Sequence, residues 1–562
     1  MPFSPRAIAA VLALFVCTGF GAPERLEYTL TPLMENGALT AVQIDLNFRG
    51  DADGETTLRL PSSWGGRDEL WRSIEGVTTV SGAQVRDGDG PTSRVLTHRP
   101  NARIHLRYRV IQDFEGPPNA QQENAYRPVV QPSYFHFIGN AILVTPDERD
   151  SATPVRFRTR NMPRGWRFAS DLEHNGLLLG AAGSSVIVGG DFRIVRASDP
   201  NIRVAIRGAW NFSDADFATQ VDGIISAQRA FWGDQSTPYL VTVIPLEAPN
   251  SGWLSVGGTG LDDAFAFFAT TNAEAAIITR TLAHEGSHTW IPGQIGGMVE
   301  EDQAGGYWFS EGFTDFYTGR LLVRQGVWSP QDFAADLNRM LAAYAQSPVR
   351  AAPNSRIVSD FWNAREVQQL PYQRGRFLAT VWDARLRAQG RDLDDVMLEM
   401  RARARGGDPL HADQIFPLII DRFGVNVDAD IANHVVEGAP VLLPEDVFAP
   451  CGRVVTRAAA RFHRGFDIEA TSANNNIVAG VDPNLPAYVA GVRDGMVLIR
   501  RASGEIGNAD QEITYVMRDG DTERSFSYMP RGHGTYTLQE FVVEDGLGGA
   551  QLAQCVAVLS GA

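Results

Sequence analysis

From about residue 24 to 198 the chain alternates apolar and polar positions in short runs broken by Gly, Pro, Asn and Asp. The runs at 26–30, 42–48, 56–60, 104–110 and 155–159 predict strands, because a half-buried strand shows one face to the core at every second residue. Together they predict an all-β layer, a sandwich or saddle, with a Pro-, Gln- and Asn-bearing loop at 116–122. After Asp199 the period lengthens to that of helices, at 217–232, 272–290, 307–325, 330–345, 373–388, 393–403 and 412–423, with one strand at 239–245. Within 272–290, Ile277, Ile278 and Leu282 form an apolar stripe. Strand patterning returns from about 453, at 466–469, 477–481, 496–500, 512–517 and 526–529. The pattern therefore predicts a multidomain α+β chain: an N-terminal β domain over 23–198, a mostly helical domain with little strand over 199–450, and a C-terminal β domain over 451–562.

Composition changes this picture at three points. A net charge of -16 argues against a nucleic-acid binder, which would carry a basic face. Residues 1–22 read as an export signal: Arg6 is the positive start, 8–17 is a short apolar run, and Gly19, Gly21 and Ala22 are small. A retained anchor is the competing reading, but the run is short for a bilayer and no later stretch reaches about 18 apolar residues. Signal removal predicts an exported, periplasmic or secreted protein with no remaining membrane span. It also removes Cys17 and leaves Cys451 and Cys555, a disulfide candidate in an oxidising compartment, with two free buried thiols as the alternative.

The chemistry is concentrated in His284-Glu285-Gly286-Ser287-His288. Two histidines four apart on a helix project from one face and can hold one Zn²⁺ per chain through their imidazoles. The glutamate after the first histidine is then placed as general base. A catalytic zinc of this type needs a third protein ligand, and Glu311 on the next helix is the candidate. Glu300, Glu301 and Asp302 are rivals, ranked lower because they lie in a Gly-rich loop. Asp315, one turn beyond Glu311, reads either as the acceptor of a histidine ring N–H or as an acid facing solvent.

These residues resemble a known family. His284-Glu285-Gly286-Ser287-His288-Thr289-Trp290 followed by Trp308-Phe309-Ser310-Glu311-Gly312-Phe313-Thr314 looks like the M61 glycyl aminopeptidases, glutamate-zincins with a thermolysin-like catalytic domain. Leu60-Pro61 with Trp64-Gly65-Gly66 resembles that family's Pro-Trp-Pro-Gly stretch, and Leu321 to Gly326 the helix after the glutamate ligand. Tyr372-Gln373-Arg374-Gly375 resembles its Tyr-x-Lys-Gly, and Leu393-Asp394-Asp395-Val396 the helix beyond. The resemblance implies that Tyr372 donates its hydroxyl to an oxyanion, a plain packing role being the alternative. It also implies an aminopeptidase acting on peptides with small N-terminal residues.

One departure matters. The family holds the substrate amine with a Gly-Gly-Leu-Glu-His stretch, and the nearest match here is Gly257-Gly258-Thr259-Gly260-Leu261-Asp262-Asp263. Gly258, Gly260 and Asp262 are thus the candidate substrate-binding residues, with Asp262 reaching about 1.5 Å less far than a glutamate. That shortening keeps a zinc endopeptidase open as an alternative. The C-terminal domain resembles a PDZ domain, as such peptidases commonly carry: Arg464-Gly465-Phe466-Asp467-Ile468 looks like a carboxylate-binding loop entering a peptide-accepting strand, and 486–498 like the helix and turn that follow. Gly465 and Phe466 are its candidate peptide-binding residues. An unrelated small β domain is the competing reading there. A non-catalytic peptide binder on a degenerate peptidase scaffold is the remaining alternative for the whole chain.

Overall fold

The computed structural model describes residues 25–122, 124–249, 252–299 and 303–561. The expected export signal at 1–22, with Cys17, and the rival acids Glu300, Glu301 and Asp302 lie outside the described residues. The described chain forms two compact units, one of 25–115 with 126–190, the other of 116–125 with 191–561.

The first unit is built from strands, as the alternation requires. A five-stranded sheet runs in the order Val155–Thr159, Leu26–Glu35, Ala38–Arg49, Arg103–Val110, Ile74–Thr79. Alternate residues of Leu26–Glu35 are buried (Leu26, Tyr28, Leu30), which is the period-2 pattern read from the sequence. Two four-stranded sheets accompany it, one centred on Glu55–Arg59 and Ser93–Thr97, the other on Val186–Gly190 and Tyr134–Ile138.

The second unit contains a five-stranded sheet in the order Arg193–Arg196, Ile202–Ile206, Tyr239–Pro245, Ala264–Ala269, Val256–Gly260. Its three central strands are parallel and its two outer ones antiparallel. This corrects the expectation of little strand over 199–450. Ala264–Ala269 is buried throughout, so it carries no polar alternation, and Val256–Gly260 is mostly glycine. The unit boundaries also differ from the 23–198 and 199–450 division. Arg193–Arg196 pairs with Ile202–Ile206 and so belongs with the second unit, and 116–125 joins it through backbone bonds between Glu247 and the stretch Pro118 to Ala120.

Long helices complete the second unit. Asp214–Trp232 is capped by Ser213, Pro330–Gln346 by a Ser329–Asp332 capping box, and Leu393–Arg405 by Asp392. The helix Arg365–Arg387 starts well before the expected 373 because it carries Pro371 internally, a residue that normally marks a helix boundary. No helix among the described residues is long and apolar enough to cross a membrane.

The C-terminal region belongs to the second unit. Strands Gly452–Phe462 and Arg531–Val543 pair with each other, and Asn338 exchanges two hydrogen bonds with the Phe541 backbone, at 2.7 and 2.9 Å. A disulfide joins Cys451 to Cys555 on the last helix, Gly549–Ser560. A smaller module at 462–530 has its own core of Phe466, Val478, Val492, Ile513 and Met517. Two expectations change here. The strand expected at 466–469 is replaced by the helix Ile468–Ala473, whose start Asp467 caps by accepting from the Ala470 N–H. The stretch 477–481 makes only isolated bridges, Ile477 to Val497 and Ala479 to Asp467. The presumed carboxylate loop is also turned inward: Phe466 is buried, the Gly465 N–H donates to His463 Nδ1, and the Asp467 N–H donates to the Ala479 carbonyl.

Candidate metal centre

The histidine helix, Ala275–Ser287, buries Ile278, Leu282 and Ala283 against the sheet strands and helix Asp214–Trp232. That packing fixes its rotation and turns the next face, with His284 and His288, toward the glutamate helix, Gln303–Arg324. Close packing on the far side requires Gly286, where an added Cβ would meet Gln228 Oε1 at 2.9 Å. Gln228 in turn donates to the Ala283 carbonyl and the Ser287 hydroxyl.

The two imidazoles converge. His284 Nε2 lies 3.2 Å and His288 Nε2 3.3 Å from the same Glu311 oxygen, Oε2. Each ring's other nitrogen is held from behind, His284 Nδ1 by Asp315 Oδ1 at 3.0 Å and His288 Nδ1 by the Ile291 carbonyl at 2.8 Å. Ligand atoms of His284, His288 and Glu311 all lie within 4.8 Å of one another, so the donor set fits a single divalent cation. Fixing Nδ1 leaves Nε2 as the metal-facing atom in both rings. Of the two readings of Asp315, the structure places it inside, 2% exposed and on His284.

The electrostatics agree with this assignment. Burial alone would depress His284, but the hydrogen bonds it donates to the Asp315 and Glu311 carboxylates outweigh it and push the imidazole up to about 10. Burial opposes the ionised forms of Glu311 and Asp315 too, yet the histidines and Arg280 hold both carboxyls far below their usual range. A site that favours positive charge this strongly favours a cation, and a bound metal would displace the histidine proton.

The remaining groups lie where chemistry needs them. Glu285 is pushed up by burial, an effect countered by the two histidines and by a hydrogen bond from the Gly260 N–H. Tyr372 stacks on His284 with ring centroids 5.7 Å apart and faces Glu311; burial and the neighbouring acids, Glu311 first among them, raise its hydroxyl well above the ordinary value. Gly260 ends the edge strand Val256–Gly260, and a Cβ there would meet the Glu285 carbonyl at 2.7 Å. Gly258, two residues earlier on the same strand, pairs with Phe267 of the neighbouring strand Ala264–Ala269. Asp262 is exposed at the tip of the hairpin that Leu261 and Ala264 close.

Sequence reasoning missed Arg280, whose guanidinium binds both Asp315 and Asp336. A usable signal was its place four residues before His284, on the same helix face. It also missed the closeness of Gly312 and Gly375, although a glycine inside each of two long helices marks a close crossing.

Residues 278–369 match the family model described as M61 glycyl aminopeptidase. No curated protein matches the sequence. Among solved structures, an aminopeptidase N family protein from Idiomarina loihiensis shares the fold over 95% of this chain and 100% of its own, with a TM-score of 0.68 at 15% identity. An M1 zinc metallopeptidase from Deinococcus radiodurans aligns over 75% of this chain and 94% of its own, with a TM-score of 0.43 at 15% identity. The matched stretch, residues 278–369, holds both histidines and Glu311, and over it the chain is similar to the M61 glycyl aminopeptidases.

Proposed function

We propose that this chain is a zinc-dependent metallopeptidase, an aminopeptidase acting on peptides with small N-terminal residues. The observation that carries the reading is the convergence of His284 Nε2 and His288 Nε2 on one oxygen of Glu311, with both Nδ1 atoms already occupied. When bound there, zinc supplies Lewis acidity toward a carbonyl and a water. Glu285 takes the proton of the attacking water and returns it to the departing amine, a role suited to a carboxyl whose hold on a proton burial strengthens. Tyr372 donates its hydroxyl to the oxyanion that develops on the scissile carbonyl. The glycine-rich edge strand Val256–Gly260 holds the substrate backbone as an added strand beside Glu285.

A zinc endopeptidase is the second reading, and Asp262 favours it: the acid that would grip a free α-amine is shorter than a glutamate and lies exposed on a hairpin tip. The C-terminal module enters the proposal as a PDZ-like domain that recruits peptides, supported by the order of its motifs from 464 to 498. Its ligand surface excludes the buried Phe466 side chain. Export to the periplasm or beyond is supported by the leader pattern and by the Cys451–Cys555 disulfide.

One digest tests these readings. Free and N-acetylated peptides are offered to the wild type, to chelator-treated protein and to Glu285→Gln. Cleavage of free peptides only, lost with chelator and restored by zinc, is expected, with Glu285→Gln retaining zinc while kcat falls about 10²–10⁴-fold. Equal cleavage of acetylated peptides would establish the endopeptidase. Wild-type rates from the glutamine variant would overturn the mechanism.

A further inference from the structure

A buried ionic network lies one helical turn behind the site, and its placement is regular. Arg280 precedes His284 by four residues, Asp315 follows Glu311 by four, and Arg376 follows Tyr372 by four. Side chains four apart on a helix share a face, so each helix that supplies a site residue supplies a network residue directly beneath it. Asp336, from the helix Pro330–Gln346, ties the set together. Its Oδ1 accepts from Arg280 Nε at 2.8 Å and its Oδ2 from Arg376 Nη1 at 2.6 Å. Arg280 Nη2 donates at 2.8 Å to Asp315 Oδ1, the oxygen that also faces His284 Nδ1 at 3.0 Å. Arg376 Nη1 stands 3.9 Å from the other Asp315 oxygen.

We propose that Arg280, Asp336 and Arg376 are positioning residues for the metal site, acting through Asp315 on His284; the proposal rests on the zinc reading above. A carboxylate that accepts only one ring N–H can rotate about its own bond and let the imidazole swing. Here the same oxygen is pinned by a guanidinium that is itself pinned by a second carboxylate. Asp315, Asp336 and Arg376 are 2%, 5% and 1% exposed, so water has little access to the bonds among them, while the Arg280 side chain, 31% exposed, forms the outer edge of the network. Asp336 Oδ1 also meets Arg339 Nη2 at 3.2 Å, so three arginines face two aspartates and neither carboxylate is left uncompensated beside the site. Its function is to hold the His284 Nε2 lone pair on the point shared with His288 and Glu311.

The test separates positioning from general stability. The full chain is stripped and reloaded, and its zinc affinity is measured by competition with a chromogenic chelator. The visible spectrum of the cobalt-substituted protein reports ligand geometry. Asp336→Asn and Arg280→Gln are expected to weaken zinc about 10–100-fold, to shift the cobalt bands, and to lower kcat with KM little changed. Leu341→Ala, which removes a buried side chain from the helix of Asp336 but lies outside the network, is the stability control. It is expected to melt earlier with wild-type zinc affinity and spectrum. Arg280→Lys keeps the charge but cannot bridge two carboxylates; it should show the same losses in smaller measure, and it decides the matter if the uncharged variants do not fold. Network variants that hold zinc within about twofold of the wild type with unchanged cobalt bands would overturn the proposal, as would an equal loss in Leu341→Ala. A wild-type chain that takes up no zinc would instead remove the metal reading beneath it.

Discussion

Gly312 and Gly375 meet backbone to backbone: a Cβ on Gly312 would stand 2.3 Å from the Gly375 Cα, and one on Gly375 would stand 1.8 Å from the Trp308 carbonyl oxygen. Gly312 directly follows Glu311, and Gly375 follows Tyr372 by three residues. The crossing of the two helices at these glycines is therefore what brings the Tyr372 hydroxyl onto Glu311. Gly375→Ala should force the helices apart, because the obstructing atom is backbone and cannot rotate away. The expected cost is about 1–3 kcal/mol of stability, seen in thermal or denaturant unfolding. A larger loss in kcat should accompany it, since a displaced Tyr372 no longer reaches the reacting centre. A variant with wild-type melting and kcat would refute the crossing as described.

Tyr372 can be tested without disturbing that crossing. Its ring stacks on His284 and its hydroxyl reaches Glu311, so Tyr372→Phe retains the packing and deletes the donor. Zinc content should stay at one per chain, while kcat falls about 10²–10³-fold, the usual cost of losing one oxyanion donor. A fall in zinc content equal to the fall in rate would make Tyr372 a support for Glu311 rather than a donor to the substrate.

The site was legible where chemistry imposed a short period. His284 and His288 share a helix face by spacing alone, and Glu311 and Asp315 repeat that spacing on the next helix, which buries them together. Arg280 was not legible, because the partners that give it meaning lie 35 and 56 residues away and meet it only after three helices pack. The strand Ala264–Ala269 was hidden for the opposite reason: burial on both faces erases the alternation by which a strand is recognised. At 466–469 a strand-like run became a helix start because Asp467 caps the Ala470 N–H, a local bond that outweighs apolar patterning.

The C-terminal helix Gly549–Ser560 is held at two points, one to the start of strand Gly452–Phe462 and one to the glutamate helix Gln303–Arg324. Cys555 is bonded to Cys451 across 104 residues, and Arg324 Nε donates to the Ser560 carbonyl at 2.9 Å. Closing a loop of that length contributes about 4–5 kcal/mol in the chain-entropy model. Reduction, or Cys451→Ser with Cys555→Ser, should free this helix first, since it is then held by noncovalent contacts alone, among them the Arg324 bonds to the Ser560 and Gly561 carbonyls and the packing of Val556 and Leu559. Limited proteolysis should then cut near 545–549 in reduced protein well before oxidised protein is cut. Equal cleavage rates in the two states would show that the helix is docked without the bond.

Acid sensitivity of the first unit should trace to His136. It lies in Tyr134–Ile138, a strand buried at every position, and burial depresses its imidazole from 6.5 to about 3. The folded state therefore keeps this ring neutral while the unfolded chain protonates it. Above pH 6.5 neither state binds the proton and the fold is unaffected. As pH falls below 6.5 the unfolded state gains a proton that the folded state refuses, and stability drops until about pH 3. At pH 4 the loss is about 3 kcal/mol, at roughly 1.4 kcal/mol per unit of pH. His136→Gln has no proton to gain, so its unfolding free energy should change less between pH 7 and pH 4 by about that amount. Denaturant titrations at the two pH values, followed by a signal from the first unit, measure the difference. Parallel slopes for wild type and variant would place the acid lability in other groups.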